Sequence, residues 1–215
     1  MFSDGPVPPH LILHMSHVSN LATIAARGAL LCESRRTQEG IPAVNIAYPE
    51  LKERRSRTMV RACRAGSLNE YVPFYFAPRS PMLFAIKCGN IAGYPDGQTG
   101  VAYLISSVEE VAAAGLPFAF TDGHPVSALS DHYDDLAELG SIDWELMQAT
   151  YWNDTADDND RRRRRQAEFL VHDAVPLNLL NEVVVRTDEK AAEVEAALKR
   201  SAWKPRVRVL PGFYF

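Results

Sequence analysis

Residues 72–83 read Val72-Pro73-Phe74-Tyr75-Phe76-Ala77-Pro78-Arg79-Ser80-Pro81-Met82-Leu83, and the reading of the fold turns on this stretch. Three aromatics, three prolines and one arginine fall within it, and the apolar Phe84, Ala85 and Ile86 follow. Proline has a fixed φ and no N–H to give to a ladder, so the stretch is not expected to be an ordinary central strand. It reads as an irregular, rigid edge carrying aromatic faces and a cation, suited to gripping a flat ligand. A proline-rich crossover packed beneath a loop is the alternative, and the stretch alone leaves both open.

Working outward, His10 to Met15 predicts a short strand. Ser16 and Ser19 are candidate N-caps for a helix through Asn20, Leu21, Ile24 and Ala25 that stops at Gly28. Glu33 to Val44 is polar and reads as a loop. Pro49 to Arg64 reads as a basic helix broken by Ala65-Gly66-Ser67. Strands are expected at Met82–Lys87, Val101–Ser106, Leu116–Phe120, Glu168–Val171, Glu182–Arg186 and Arg206–Leu210. Helices are expected at Val108–Ala114, Ser127–Leu139, Ile142–Thr150 and Glu189–Arg200, with a turn at Thr121–Pro125 and an acidic, irregular Tyr151–Asp160. No regular βαβα alternation results, so the fold class is α+β.

The bulk properties narrow the function. A chain of 215 residues, 47% hydrophobic and 23% charged, fits one soluble domain with a real core. No apolar run approaches the roughly 20 residues that cross a bilayer. The N-terminus has no basic region before its three-residue apolar run (Leu11, Ile12, Leu13), so a cytoplasmic location is expected. Cys32, Cys63 and Cys88 are scattered, which argues against both a disulfide framework and a zinc site. The net charge of −4 is unevenly spread. Lys52, Arg54, Arg55, Arg57, Arg61 and Arg64 crowd one segment, and Arg161–Arg165 form a run of five. Such local fields can steer a polyanion, or they can be solvated helix faces.

Four features can carry chemistry. His14 ends a strand, with His17 three residues on. No third metal ligand matches the pair, so no metal is expected, whereas a lone imidazole can bond a ribose hydroxyl. Arg54 and Arg55 offer guanidinium forks that match phosphate oxygens. Glu168 opens an apolar strand, where a carboxylate is out of place unless it is paired or functional. His124 sits in the turn, either against substrate or exposed to solvent.

Together the segments HMSHVSNLATIAARGALL, ELKERR, EYVPFYFAPRSPML, GLPFAFTDGHPV and QAEFLV, in that order, resemble the DarT family of DNA ADP-ribosyltransferase toxins. The likeness runs from about Pro9 to the C-terminus. It implies an ADP-ribosyltransferase fold, a split antiparallel sheet clasping NAD+, over a single domain of residues 1–215. It implies cleavage of the nicotinamide–ribose bond and transfer of ADP-ribose to a base, thymidine, in single-stranded DNA. A macrodomain-containing antitoxin is implied as partner, and the toxin is expected to be a monomer.

Carried over by position, Glu168 is the catalytic glutamate, its carboxylate stabilising the cation that builds at the anomeric carbon. Arg55 is the second essential residue. Arginine stays protonated at ordinary pH, so stabilising a thymine anion or the NAD+ phosphates suits it better than acting as a base. Leu13, His14, Met15, Leu30, Arg55 and Tyr75 are implied to bind NAD+, beneath a covering segment at about residues 39–60. Arg79, Met82, His124, Tyr151, Trp152 and Arg162 are implied to bind DNA, most of them in or beside a recognition region at about 124–168. Ala29 stands where relatives can carry a basic residue, so one DNA contact implied by the resemblance is missing here. Transfer to protein or RNA, or nucleic-acid binding without catalysis, are the alternatives.

Overall fold

Ten strands and eight α-helices are found among the described residues, 10–92 and 94–215 of this computed structural model. The stretch 1–9, on which the reading of the N-terminus partly rests, lies outside them. The strands are β1 (Leu11–His17), β2 (Ala29–Leu31), β3 (Tyr71–Tyr75), β4 (Val101–Ser107), β5 (Phe118–Thr121), β6 (His132–Tyr133), β7 (Glu168–His172), β8 (Ala174–Pro176), β9 (Glu182–Val185) and β10 (Arg206–Val209). The helices are α1 (Leu21–Arg27), α2 (Glu33–Gln38), α3 (Pro49–Arg57), α4 (Pro81–Lys87), α5 (Val108–Ala113), α6 (Trp144–Gln148), α7 (Arg161–Arg164) and α8 (Asp188–Leu198).

Eight strands form one sheet in the order β10-β9-β4-β1-β3-β7-β5-β6, antiparallel except for β9 with β10. Strand β1 pairs with β4 along its whole length, and β3 does the same with β7. Between β1 and β3 the sole register pair is Leu13 with Tyr75. The sheet is therefore split into two halves joined at one point, as expected for the fold. Its central strands are buried on both faces. Ile12, Val72, Phe74, Leu104 and Phe169 belong to a core on one side, and Leu13, Leu83, Tyr103 and Tyr214 to a second core on the other.

The opening stretch divides in a way the prolines did not suggest. Its first part is β3, an interior strand, and its last part starts α4. Pro73 is tolerated because its carbonyl points across the split, where it accepts from His14 Nδ1 at 2.8 Å. In an antiparallel strand a residue's N and C=O face the same way, so the missing N–H also faces the gap. Phe74 and Phe76 fill the core, and Tyr75 is left to line the cleft.

Residues 82–87, expected as a strand, are helical. Ser80 Oγ accepts the Leu83 N–H at 3.2 Å and Pro81 takes the first turn, a pairing that starts helices. Glu33–Gln38, expected as loop, closes into α2 with Arg36–Glu33 and Arg35–Glu39 ion pairs along its surface. Helix α3 ends at Arg57, short of Arg64. The two helices expected within 127–150 reduce to β6, a 3-10 turn at Leu136–Ser141 and the short α6. The stretch Val18–Asn20 is also a 3-10 turn, capped by His17 rather than a serine, and α1 then runs to a left-handed Gly28 as read.

Replacing Ser80 with alanine strands the buried Leu83 N–H, and is expected to cost about 1 kcal/mol. A lower urea midpoint with an unchanged slope would report it.

Candidate active site

Where the sheet splits, its strand ends open onto a cleft of about 250 Å³. His14 and Met15 of β1, Pro73 and Tyr75 of β3, and Ala29 and Leu30 of β2 line it. Ile41 to Ala47, with Leu51, Lys52 and Arg55, also line it, as do Met82, His124 and Glu168. Glu168 begins β7 directly opposite Tyr75 of β3, so the two side chains share a face. Its carboxylate is 5% exposed.

Arg55 reaches in from α3 and places Nη1 3.1 and 2.9 Å from the two Glu168 oxygens. Burial pushes the Glu168 carboxyl up, and the charge and hydrogen bonds of Arg55 act against that rise. The other Arg55 terminal nitrogen, Nη2, is buried and has no partner among the described residues. Below it, the Tyr75 hydroxyl is pushed well up, first by burial and then by the Glu168 charge, so it remains a neutral donor.

Two imidazoles face the cleft in complementary tautomers. Burial, with Arg55 adding to it, brings His14 down to about 4. Donating Nδ1–H to Pro73 leaves neutral His14 with Nε2 as an acceptor. His124 is also brought down to about 4, by burial and then by Arg55 and Arg54. Its Nδ1 accepts the Val126 N–H at 3.2 Å, which puts the proton on Nε2 as a donor. The His14–His17 pair is not a chelate: His17 is committed to Ser19 and Asp96. Among the described residues no cluster of three or more His, Cys, Asp or Glu is arranged for a metal. No helix among them is long and apolar enough to cross a membrane.

Of the residues singled out in the sequence, His14, Met15, Leu30, Arg55, Tyr75, Met82, His124 and Glu168 converge on this cleft. Leu13 lies beneath it, in the core with Tyr103. Arg79 has a left-handed φ of 56° and donates Nε–H to Tyr214 O at 2.9 Å. Tyr151 is 82% exposed, whereas Trp152 is buried with its ring edge-on to Phe84. Arg162 is exposed, and no acid or carbonyl among the described residues pairs with its guanidinium. The other four arginines of the run have internal partners. Arg163 binds Asp122 and Asp160, Arg164 binds Asp143 and Asp158, Arg161 binds backbone carbonyls, and buried Arg165 takes the carbonyls of Pro78, Leu146 and Met147. Sequence reasoning missed the further lining residues Asn20, Thr23 and Asn69, whose polar side chains carry no distinctive spacing.

A split sheet with a buried glutamate at the strand end, facing a histidine and a tyrosine across a cleft, defines the ADP-ribosyltransferase class. The profile of the family described as "ssDNA thymidine ADP-ribosyltransferase, DarT" matches residues 13–215. A DNA ADP-ribosyl transferase of Thermus sp. (strain 2.9) is 41% identical over 209 residues, covering 96% of this chain and 97% of that one. The structure of Thermus sp. 2.9 DarT in complex with ADP-ribosylated ssDNA superposes with a TM-score of 0.90 at 38% identity, covering 100% of both chains. The same protein in complex with NAD+ gives 0.82 at 36%, covering 98% of this chain and 100% of that one. The chain belongs to the DarT family.

The two histidines give stability a pH dependence. Each binds a proton less readily folded, at about 4, than unfolded, near 6.5. Between those values the unfolded chain holds more protons, so stability rises with pH and falls on acidification. Glu168, pushed up instead of down, works in the opposite sense. Urea unfolding at pH 7 and pH 5 should show the loss, and His14→Gln should lose less than the unaltered protein. Equal losses would exclude His14 as a source.

Proposed function

We propose that this chain transfers ADP-ribose from NAD+ to thymidine in single-stranded DNA, with Glu168 and Arg55 at the reacting atoms. The observation that carries the proposal is the buried Glu168 carboxylate, held by Arg55 at the point where the sheet splits. The residues fit the dinucleotide. Arg55 Nη2 is an orphaned buried donor suited to an anionic oxygen, and His14 Nε2 can accept from a ribose hydroxyl. NAD+ supplies the ribosyl group and nicotinamide as leaving group.

In this reading the whole of 1–215 is one domain. Residues 39–60 cover the dinucleotide, and residues 124–168 recognise the DNA. Glu168 stabilises positive charge at the anomeric carbon and orients the adjacent hydroxyl. Leu13, His14, Met15, Leu30 and Tyr75 shape the dinucleotide site. As thymine N3 bonds to the anomeric carbon its proton passes to a Glu168 oxygen, while Arg55 steadies the negative charge that builds on the base. His124 Nε2–H can donate to a thymine carbonyl, and Arg79, Met82, Tyr151, Trp152 and Arg162 hold or support the strand. The protein then acts as a monomeric cytoplasmic toxin with a macrodomain-containing antitoxin, a reading supported by family membership.

Incubation with NAD+ and oligonucleotides, followed by mass analysis, should give an ADP-ribosylated thymidine and released nicotinamide. Glu168→Ala is expected to lower the rate at least about 100-fold. Equal modification of RNA would overturn the choice of acceptor.

Arg55→Ala makes a separate prediction. Without the cation, Glu168 takes up a proton at higher pH, so the acid limb of the kcat/KM profile should move to higher pH. An unmoved limb would break the link between the pair and the chemistry.

A further inference from the structure

Outside the cleft, α4 and the C-terminal residues build an aromatic platform that the chemistry described above does not use. Phe84 is 42% exposed on α4. Its ring stands 5.2 Å from that of Phe215, edge to face at 75°, and 6.3 Å from buried Trp152, at 83°. Lys87 Nζ lies over the rings of both Phe84 and Phe215, 5.7 Å from each centroid, so a base would stack on the face of Phe84 away from the ammonium. The geometry points to a stacking subsite for a base of the single strand that flanks the target thymidine, with Lys87 placed for the adjoining phosphate.

Rigidity is the first argument. An exposed ring that must order on binding wastes part of its stacking energy, and these rings are held in place. The C-terminal backbone is clamped by Gln98, whose Oε1 accepts the Phe215 N–H at 2.9 Å and whose amide nitrogen donates to the Phe215 carbonyl. The Tyr214 hydroxyl shares its one proton between the carbonyls of Val101 and Val184, at 2.9 and 3.1 Å. The buried Trp152 also packs edge-on with Phe84, so the platform joins residues 214–215 to the region between β5 and β7.

Continuity with the cleft is the second. Arg79 Nε donates to the carbonyl of Tyr214, the residue before Phe215. Arg79 also precedes α4, whose Met82 lines the cleft and whose Phe84 and Lys87 form the platform. One short helix therefore presents a cleft wall at one residue and an exposed ring beside a cation further on. An aromatic face with an adjacent ammonium matches a nucleotide, since every base has a π-face and every linkage a negative charge.

The subsite rests on the single-stranded DNA reading above, and direct binding tests it without turnover. Fluorescence anisotropy would be measured with labelled single strands carrying one thymine and increasing numbers of flanking nucleotides. For the unaltered protein Kd should fall as the strand grows. Phe84→Ala should raise Kd about tenfold on the long strands and leave the shortest unchanged, with Phe84→Trp restoring affinity. Lys87→Ala should flatten the dependence of log Kd on log salt by about one charge. An unchanged Kd at every length in Phe84→Ala overturns the subsite and leaves the platform as a protein-docking surface. Modification of the same strands with NAD+, assayed in parallel, reports separately on the transferase reading.

Discussion

One missing hydrogen-bond donor governs the shape of this molecule. Strands β1 and β3 are each fully laddered on their outer sides, to β4 and β7, so any opening in the sheet must fall between them. Pro73 sits on that boundary with its carbonyl, and hence its absent N–H, directed at β1. Past Leu13 and Tyr75 the two strands cannot zip, and the His14 side chain reaches over to take the free carbonyl. The split that admits a ligand is thus written into the backbone of β3. It is stabilised by the same histidine that is available to touch the ligand.

The second determinant is electrostatic. A carboxylate and a guanidinium withdrawn from water gain less from each other than their distance suggests, because both lose hydration. Replacing them with apolar side chains would commonly be neutral or stabilising, so a buried ion pair here is better understood through what it does. Helix α3 has no buried residue of its own. What fixes it over the cleft includes Arg55 on Glu168 and Lys52 on Glu33, contacts that end in groups lining the cavity. The position of α3 is therefore coupled to the charge inside the site.

Much of this was legible in the sequence, unevenly. Glu168 stood out because a carboxylate opening an apolar strand conflicts with its neighbours, and such conflicts collect at functional sites. Strands β4, β7 and β9 were readable because their apolar runs leave little choice, and β10 because Arg206-Val207-Arg208-Val209 alternates with a period of two. The apolar run after Pro81 was misread as a strand because short apolar runs do not declare their period, and the decisive Ser80 cap is a single hydroxyl. Pro73 misled for a physical reason: a rule about edges holds, but the edge lies inside the sheet. The region 127–150 has helical composition yet folds around caps and ion pairs with distant residues, information that no local window contains.

The arginine run shows the same limit in the charge pattern. Read along the chain, Arg161–Arg165 form a basic field and Asp154 to Asp160 a separate acidic one. In the structure the two are a single network, to which Asp122 and Asp143 also contribute. Arg163 clamps the turn that carries His124, whose N–H donates to the Arg163 carbonyl at 2.9 Å, and a Cβ at Gly123 would collide with the same guanidinium. Most of the run therefore holds the protein's own loops and turns together instead of presenting charge to a polyanion. Arg162 is the member of this run left facing solvent, so less of its charge is open to a polyanion than the sequence suggests. Sequence-independent phosphate contacts release counterions in proportion to their number. The Arg161–Arg165 run is therefore expected to contribute about one such contact, through Arg162, instead of five.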